Sequence, residues 1–167
     1  FVYTIWLKRK TPQNIVIGGA SGALPPVIGW AIATNSISLE SIAFFLIIFF
    51  WTPSHFWALS LYKADDYKKA GIPMLPVTNG IQDTKKNILI YSLLMIPTIV
   101  FPYYIGFVGE VFLTLSLLLT FYYNLICYQL YNYKVGKFNI KKARHIFSYS
   151  IIYLFLIFVF FLVDKVL

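Results

Sequence analysis

Residues 63–76 form the most polar stretch of the chain. They set two adjacent carboxylates, Asp65 and Asp66, among Lys63, Lys68 and Lys69. Paired carboxylates suit Mg²⁺, which keeps much of its water and is commonly shared with substrate phosphates. Lysines beside them act as point cations toward the remaining phosphate charge. The chemistry implied is the handling of a phosphorylated group, with Asp66 and Asp65 on the metal and Lys68 and Lys69 on the anion. The same composition also describes a solvated loop, so this pattern alone leaves both readings open. Lys8-Arg9-Lys10, followed by Thr11-Pro12-Gln13-Asn14, is a second cationic group. It suits an anion, with Thr11 or Asn14 capping the helix that follows; retention of positive charge on one side of a membrane would also account for it.

His55 lies in Trp51-Thr52-Pro53-Ser54-His55-Phe56-Trp57, inside a long apolar run. An ionisable group in hydrocarbon is costly and marks function by default. The alternative is a neutral imidazole bonded to a neighbouring helix or to a carbonyl freed by Pro53. At about 100° per residue, Trp51, His55, Leu59, Tyr62 and Asp66 share one stripe. A helix persisting that far would join the histidine to the acidic loop.

These groups must be positioned by helices in a bilayer. Hydrophobic residues make up 59% of the 167 and charged residues 12%, and mean hydropathy is +0.74. That is outside the usual range of soluble domains. Five runs, at 15–33, 39–62, 88–107, 111–133 and 146–163, are long enough to cross a roughly 30 Å hydrocarbon core. Residues 1–7 read as the end of a sixth span, so the expectation for residues 1–167 is a single all-α, polytopic bundle. Of the 14 Lys and Arg, all but Lys165 fall in three clusters between spans: Lys8 to Lys10, Lys63 to Lys86 and Lys134 to Arg144. The intervening loops 34–38 and 109–110 have none. Basic loops are retained in the cytoplasm, so the formal charge of +8 describes one face of a membrane protein. A nucleic-acid partner is not indicated, because no continuous basic surface forms. Cys127 is the single cysteine, which rules out an intrachain disulfide and gives no thiolate metal site. The chain opens on Phe1 in mid-run, which suits the carboxyl-terminal part of a longer protein. Gly18 and Gly22 have the spacing of a close helix–helix approach, and Pro25-Pro26 predicts a bend or a cavity-lining break.

Several blocks resemble the haem O synthase (protohaem IX farnesyltransferase) family of intramembrane prenyltransferases. They are Tyr3-Thr4 with Leu7 to Ala20, Pro25 to Trp30, Trp51 to Leu59, and Asp66-Tyr67-Lys68-Lys69-Ala70-Gly71-Ile72-Pro73-Met74-Leu75-Pro76-Val77. The resemblance covers nearly the whole chain and is weakest over the last three spans. It implies a bundle of about nine spans, of which this chain would be the carboxyl-terminal part. The superfamily's first Asp-rich motif would lie upstream of Phe1. Its second is usually two Asp four apart, but here Lys69 and Ala70 follow Asp65 and Asp66 at that spacing, and only Asp66-Tyr67 matches. Ser54 stands where many members have a second Pro.

The resemblance implies transfer of farnesyl from farnesyl diphosphate to a vinyl group of haem B, in a bacterial inner membrane. Asp66, Tyr67 and His55 would then be catalytic. Lys8, Arg9, Asn14, Lys68 and Lys69 would hold the diphosphate, and Asp66 with Asp65 would hold Mg²⁺. Trp51, Phe56, Trp57 and His55 would shelter the cation and the porphyrin, His55 as axial ligand, polar anchor or proton carrier. A haem A synthase or a terminal oxidase would be the downstream partner. The other readings are a prenyltransferase of quinone synthesis acting on an aromatic acid, and a non-catalytic haem-handling membrane protein.

Overall fold

The structure, a computed structural model, describes residues 11–166. Those residues form seven helices and no strand. They are α1 (Asn14–Thr34), α2 (Leu39–Tyr62), α3 (Ala64–Lys69), α4 (Leu75–Thr78), α5 (Gly80–Tyr104), α6 (Glu110–Tyr131) and α7 (Ile140–Val166). The five long ones are each long and apolar enough to cross a membrane. The stub of a sixth span, with Lys8, Arg9 and Lys10, lies outside the described residues.

The α2 helix matches its apolar window, whereas α5 and α7 begin well before theirs, at Gly80 and Ile140. Hydropathy detects the length in hydrocarbon, whereas backbone hydrogen bonding continues for a turn or two beyond it. Between α1 and α2 the chain reverses at Asn35, whose φ of 55° is the left-handed value that ends a helix. The Ser41 hydroxyl then donates to Ser38 O at 2.8 Å at the start of α2.

Four helices close a ring: α2 packs on α5, α5 on α6, α6 on α7, and α7 back on α2. Among the helices, α1 touches α2 alone. Inside the ring lie Ile47, Trp57, Met95, Phe112, Tyr123, Leu130, Ile146 and Tyr153, all fully buried. Cys127 is buried there as a free thiol. Polar rungs tie α6 to α2 and to α7. Ser54 Oγ meets Tyr123 OH at 2.8 Å, and Thr120 Oγ1 meets Tyr153 OH at 2.9 Å. Such bonds between membrane helices are typically worth about 0.6 kcal/mol.

Both ends of the ring are tied. At the far end the Asp164 carboxylate of α7 accepts from Gly109 N (2.7 Å) and Phe112 N (3.1 Å), capping the start of α6. Lys165 Nζ donates to Phe107 O alongside. At the basic end, the buried Lys85 Nζ donates to the carbonyls of Tyr133 (2.5 Å), Lys137 (3.3 Å) and Lys134 (3.4 Å). It thereby fastens the loop after α6 to the start of α5. Three loop carbonyls beyond the end of α6 are thereby satisfied by an ammonium from another helix.

Candidate functional site

A cavity of about 440 Å³ lies between α1 and α2, beneath α3 and the turn that follows it. Asn14, Tyr67, Ile72 and Met74 form its polar-to-apolar mouth. Gly18, Gly19, Gly22, Ile48, Trp51, Thr52 and Phe56 line its depth. From Asn14 to Gly22 the wall runs eight residue steps along α1, about 12 Å at helical rise.

The small residues of α1 create this space. A Cβ at Gly19 would stand 3.1 Å from Thr52 Cγ2, so Gly19 is where α1 presses on α2. Among the described residues, a Cβ at Gly22 would meet nothing within 4 Å. Among the described residues the close approach to α2 is made by Gly19, while Gly18 and Gly22 line the wall of the cavity. No break is needed: α1 runs unbroken through Pro25 and Pro26, and α2 through Pro53.

The mouth is shaped by the end of α3. Gly71 N donates to Lys68 O and Ile72 N to Tyr67 O, with Gly71 at φ 66°. This is a Schellman closure, which requires a left-handed residue at Gly71. It directs Ile72 and Met74 back over the cavity. Tyr67, half-buried beside them, keeps its phenol proton more firmly than usual. Burial is the main cause, and Tyr62 and Asp66 add to it against the opposing pull of Lys63. Its hydroxyl is thus a neutral donor at the mouth.

The predicted stripe from His55 to Asp66 does not form. The α2 helix ends at Tyr62, and Lys63 adopts φ −115°, ψ 16° before α3 begins in a new direction. Asp66 pairs with Lys63 at 3.0 Å in an exposed ion pair. Asp65, Lys68 and Lys69 are also exposed on α3, next to the mouth but not lining it. Among the described residues no group of three or more His, Cys, Asp or Glu side chains could hold a metal by itself. The Thr11 hydroxyl accepts from Gln13 N at 3.2 Å, one position before the helix, and α1 has no side-chain cap at Gln13.

His55 faces α7. Its Nδ1 lies 2.6 Å from Ser150 Oγ, and its ring is stacked between Trp51 (4.3 Å, 20°) and Phe147 (4.6 Å, 26°). Trp51 Nε1 donates to Ser150 O at 2.8 Å, so α2 and α7 are bonded at two points of one turn. Ser150 Oγ also lies 2.7 Å from Phe147 O. One hydroxyl hydrogen serves one acceptor. With it given to Phe147 O, His55 donates from Nδ1 and keeps a lone pair on Nε2. Trp51 links the two regions: it stacks on His55 and lines the cavity. Trp57 is fully buried in the ring, edge-on to Tyr91 at 5.2 Å, and is absent from the lining.

Of the residues singled out from sequence, the cavity thus gathers Asn14, Trp51, Phe56 and Tyr67. It holds His55 one ring away and Asp66 at its rim. Thr52, Ile48, Ile72 and Met74 were not foreseen. Ile72 and Met74 stand inside the Gly71-Pro73-Pro76 turn, where that chemistry predicts a chain reversal but not what it covers.

Comparison with known proteins agrees with this architecture. The model of the UbiA prenyltransferase family matches residues 1–152. A protein named Protoheme IX farnesyltransferase from Pelagibacter ubique is 75% identical over all of this chain and 55% of its own length. One of the same name from Parvibaculum lavamentivorans is 49% identical over 99% of the chain and 52% of its own length. A third, from Azorhizobium caulinodans, is 52% identical over 94% and 51%. The chain spans about half the length of the curated relatives it matches. No solved structure matches it. An all-helical, membrane-spanning architecture and a family match along nine-tenths of its residues lead to one assignment: the chain belongs to the UbiA prenyltransferase family.

Proposed function

We propose that the full-length protein transfers farnesyl from farnesyl diphosphate to a vinyl group of haem B, and that the α1–α2 cavity receives the farnesyl diphosphate. The observation that carries this reading is the gradient along the cavity. Its mouth offers Asn14 and Tyr67 beside a basic loop, and its depth is apolar and aromatic. An amphiphile with a charged head and an isoprenoid tail needs both. The acceptor is taken from the names of the relatives.

In this reaction the bond between the allylic carbon and the diphosphate oxygen breaks, and both electrons leave with the diphosphate. The vinyl group supplies the electrons of the new carbon–carbon bond. Water supplies the hydroxyl on the adjoining carbon and releases a proton. Lys68 and Lys69, with Lys8 and Arg9 outside the described residues, hold the leaving group, and Asn14 and Tyr67 donate to it from the mouth. Asp66, with Asp65, would hold Mg²⁺, whose charge offsets that of the departing diphosphate. The donor set fits, because Mg²⁺ takes one or two carboxylates and completes its shell with waters and phosphate oxygens. Trp51 and Phe56 present ring faces that stabilise an allylic cation and exclude water, and Trp57 supports that wall from the core. His55, oriented by Ser150, offers Nε2 to the haem. A ligating imidazole characteristically donates its other N–H to a fixed acceptor.

The basic loops face the cytoplasm by the positive-inside rule, in a bacterial inner membrane, with a haem A synthase or terminal oxidase receiving the product. The test is purified full-length protein given haem B, farnesyl diphosphate and Mg²⁺. The expected product is haem O, identified by mass. Farnesylation of a benzoate acceptor instead would move the protein to quinone synthesis. Haem binding without any product would make it a haem carrier.

A further inference from the structure

The outward seam between α6 and α7 carries features that the farnesyl-transfer reading leaves unused. At its basic end is a second cavity, about 260 Å³, lined by Ile126 and Gln129 of α6 and by Lys141, Lys142 and His145 of α7. Lys142 Nζ donates to Gln129 Oε1 at 3.2 Å, and His145 Nε2 meets Tyr122 OH at 3.1 Å. No carboxylate lines it, and the one ion pair among the described residues, Lys63–Asp66, is elsewhere. Lys141 and His145 are exposed.

From this pocket an exposed stripe continues along α7 toward the middle of the bilayer. His145, Ser148, Ile152 and Phe155 follow Lys141 at helical spacing and pass from charged through hydroxylic to apolar. A matching stripe on α6 runs from Gln129 through Leu125 and Phe121 to Leu118, also exposed. The two stripes flank one groove with a cationic head and an apolar track.

We propose that this groove binds an anionic phospholipid, with its phosphate against Lys141 and Lys142 and an acyl chain along the α6–α7 stripes. Basic pockets between helices at the membrane surface suit anionic head groups. The apolar track separates the possible sources of phosphate. A free phosphate ion gains nothing from Leu125 or Phe155, and a zwitterionic lipid brings its own ammonium to the lysines.

Full-length protein titrated with phosphatidylglycerol or phosphatidylcholine, followed by native mass spectrometry, tests this. Wild type should retain phosphatidylglycerol in preference to phosphatidylcholine, and inorganic phosphate equimolar with the lipid should not displace it. Each lysine near a membrane surface contributes roughly fivefold in affinity. Lys141→Gln with Lys142→Gln should therefore weaken retention roughly 25-fold. The charge-matched pair Lys86→Gln with Lys134→Gln, exposed at the same end, should change it about twofold or less. A photoreactive phosphatidylglycerol should label residues 118–129 or 141–155 of the wild-type protein, a readout that needs no variant. Equal retention of both lipids, displacement by inorganic phosphate, equal loss in the two double variants, or labelling elsewhere would each overturn the proposal.

Discussion

Gly22 allows the cavity to be blocked without disturbing the fold. A Cβ there meets no heavy atom within 4 Å among the described residues, whereas one at Gly19 would stand 3.1 Å and 3.2 Å from Thr52 Cγ2 and Cβ. Replacing a helical glycine by alanine gains roughly 1 kcal/mol of helix propensity. At Gly22 nothing opposes that gain, so Gly22→Ala should stabilise by about this amount. At Gly19 overpacking of about 1–3 kcal/mol opposes it. Gly19→Ala should therefore range from neutral to about 2 kcal/mol destabilising. Gly22→Phe places a ring in the deep part of the cavity. Full-length protein carrying it should unfold at or near the wild-type temperature yet lose on the order of 100-fold in kcat/KM for farnesyl diphosphate. Thermal unfolding in detergent and single-turnover farnesylation provide the two readouts. Wild-type turnover by Gly22→Phe would show that the substrate does not use this cavity. Loss of stability together with activity would show that the side chain meets protein rather than open space.

Other substitutions separate the remaining roles. Ser150→Ala removes the acceptor that orients His55 and should weaken haem binding about 10- to 100-fold, the usual effect of losing such a partner; Ser150→Thr should restore it. Unchanged haem affinity and spectrum in Ser150→Ala would refute the tautomer assignment. Asp66→Asn breaks only an exposed ion pair, worth at most about 1 kcal/mol. It should nonetheless lower turnover on the order of 100-fold, with partial rescue by added Mg²⁺, while Asp65→Asn is milder. Normal turnover in both would remove α3 from the mechanism. Lys85→Met leaves the carbonyls of Tyr133, Lys134 and Lys137 without their ammonium. It should cost about 2–3 kcal/mol and speed amide exchange over residues 132–139; unchanged exchange would show the loop is held by other contacts.

Features that depend on local composition were legible in the residues alone. Span number follows from the length of each apolar run measured against the bilayer. Among the described residues, the gathering of the 63–86 and 134–144 loops at one end follows from where Lys and Arg interrupt those runs, and the chemistry of the 63–76 turn from Gly71 and its prolines. Helix rotation and partner choice depend on contacts made across the bundle, which emerge once the helices are packed. His55 is 95 residues from the Ser150 that orients it, and Ser54 is 69 from Tyr123. Neither pairing leaves a periodic trace in either segment. The break at Lys63 turned Asp66 away from the His55 stripe, which an ideal-helix extrapolation cannot anticipate. Gly18 and Gly22 carry the same spacing whether they admit a helix or a substrate. Gly19 took the contact with Thr52, and Gly18 and Gly22 line the cavity beside it.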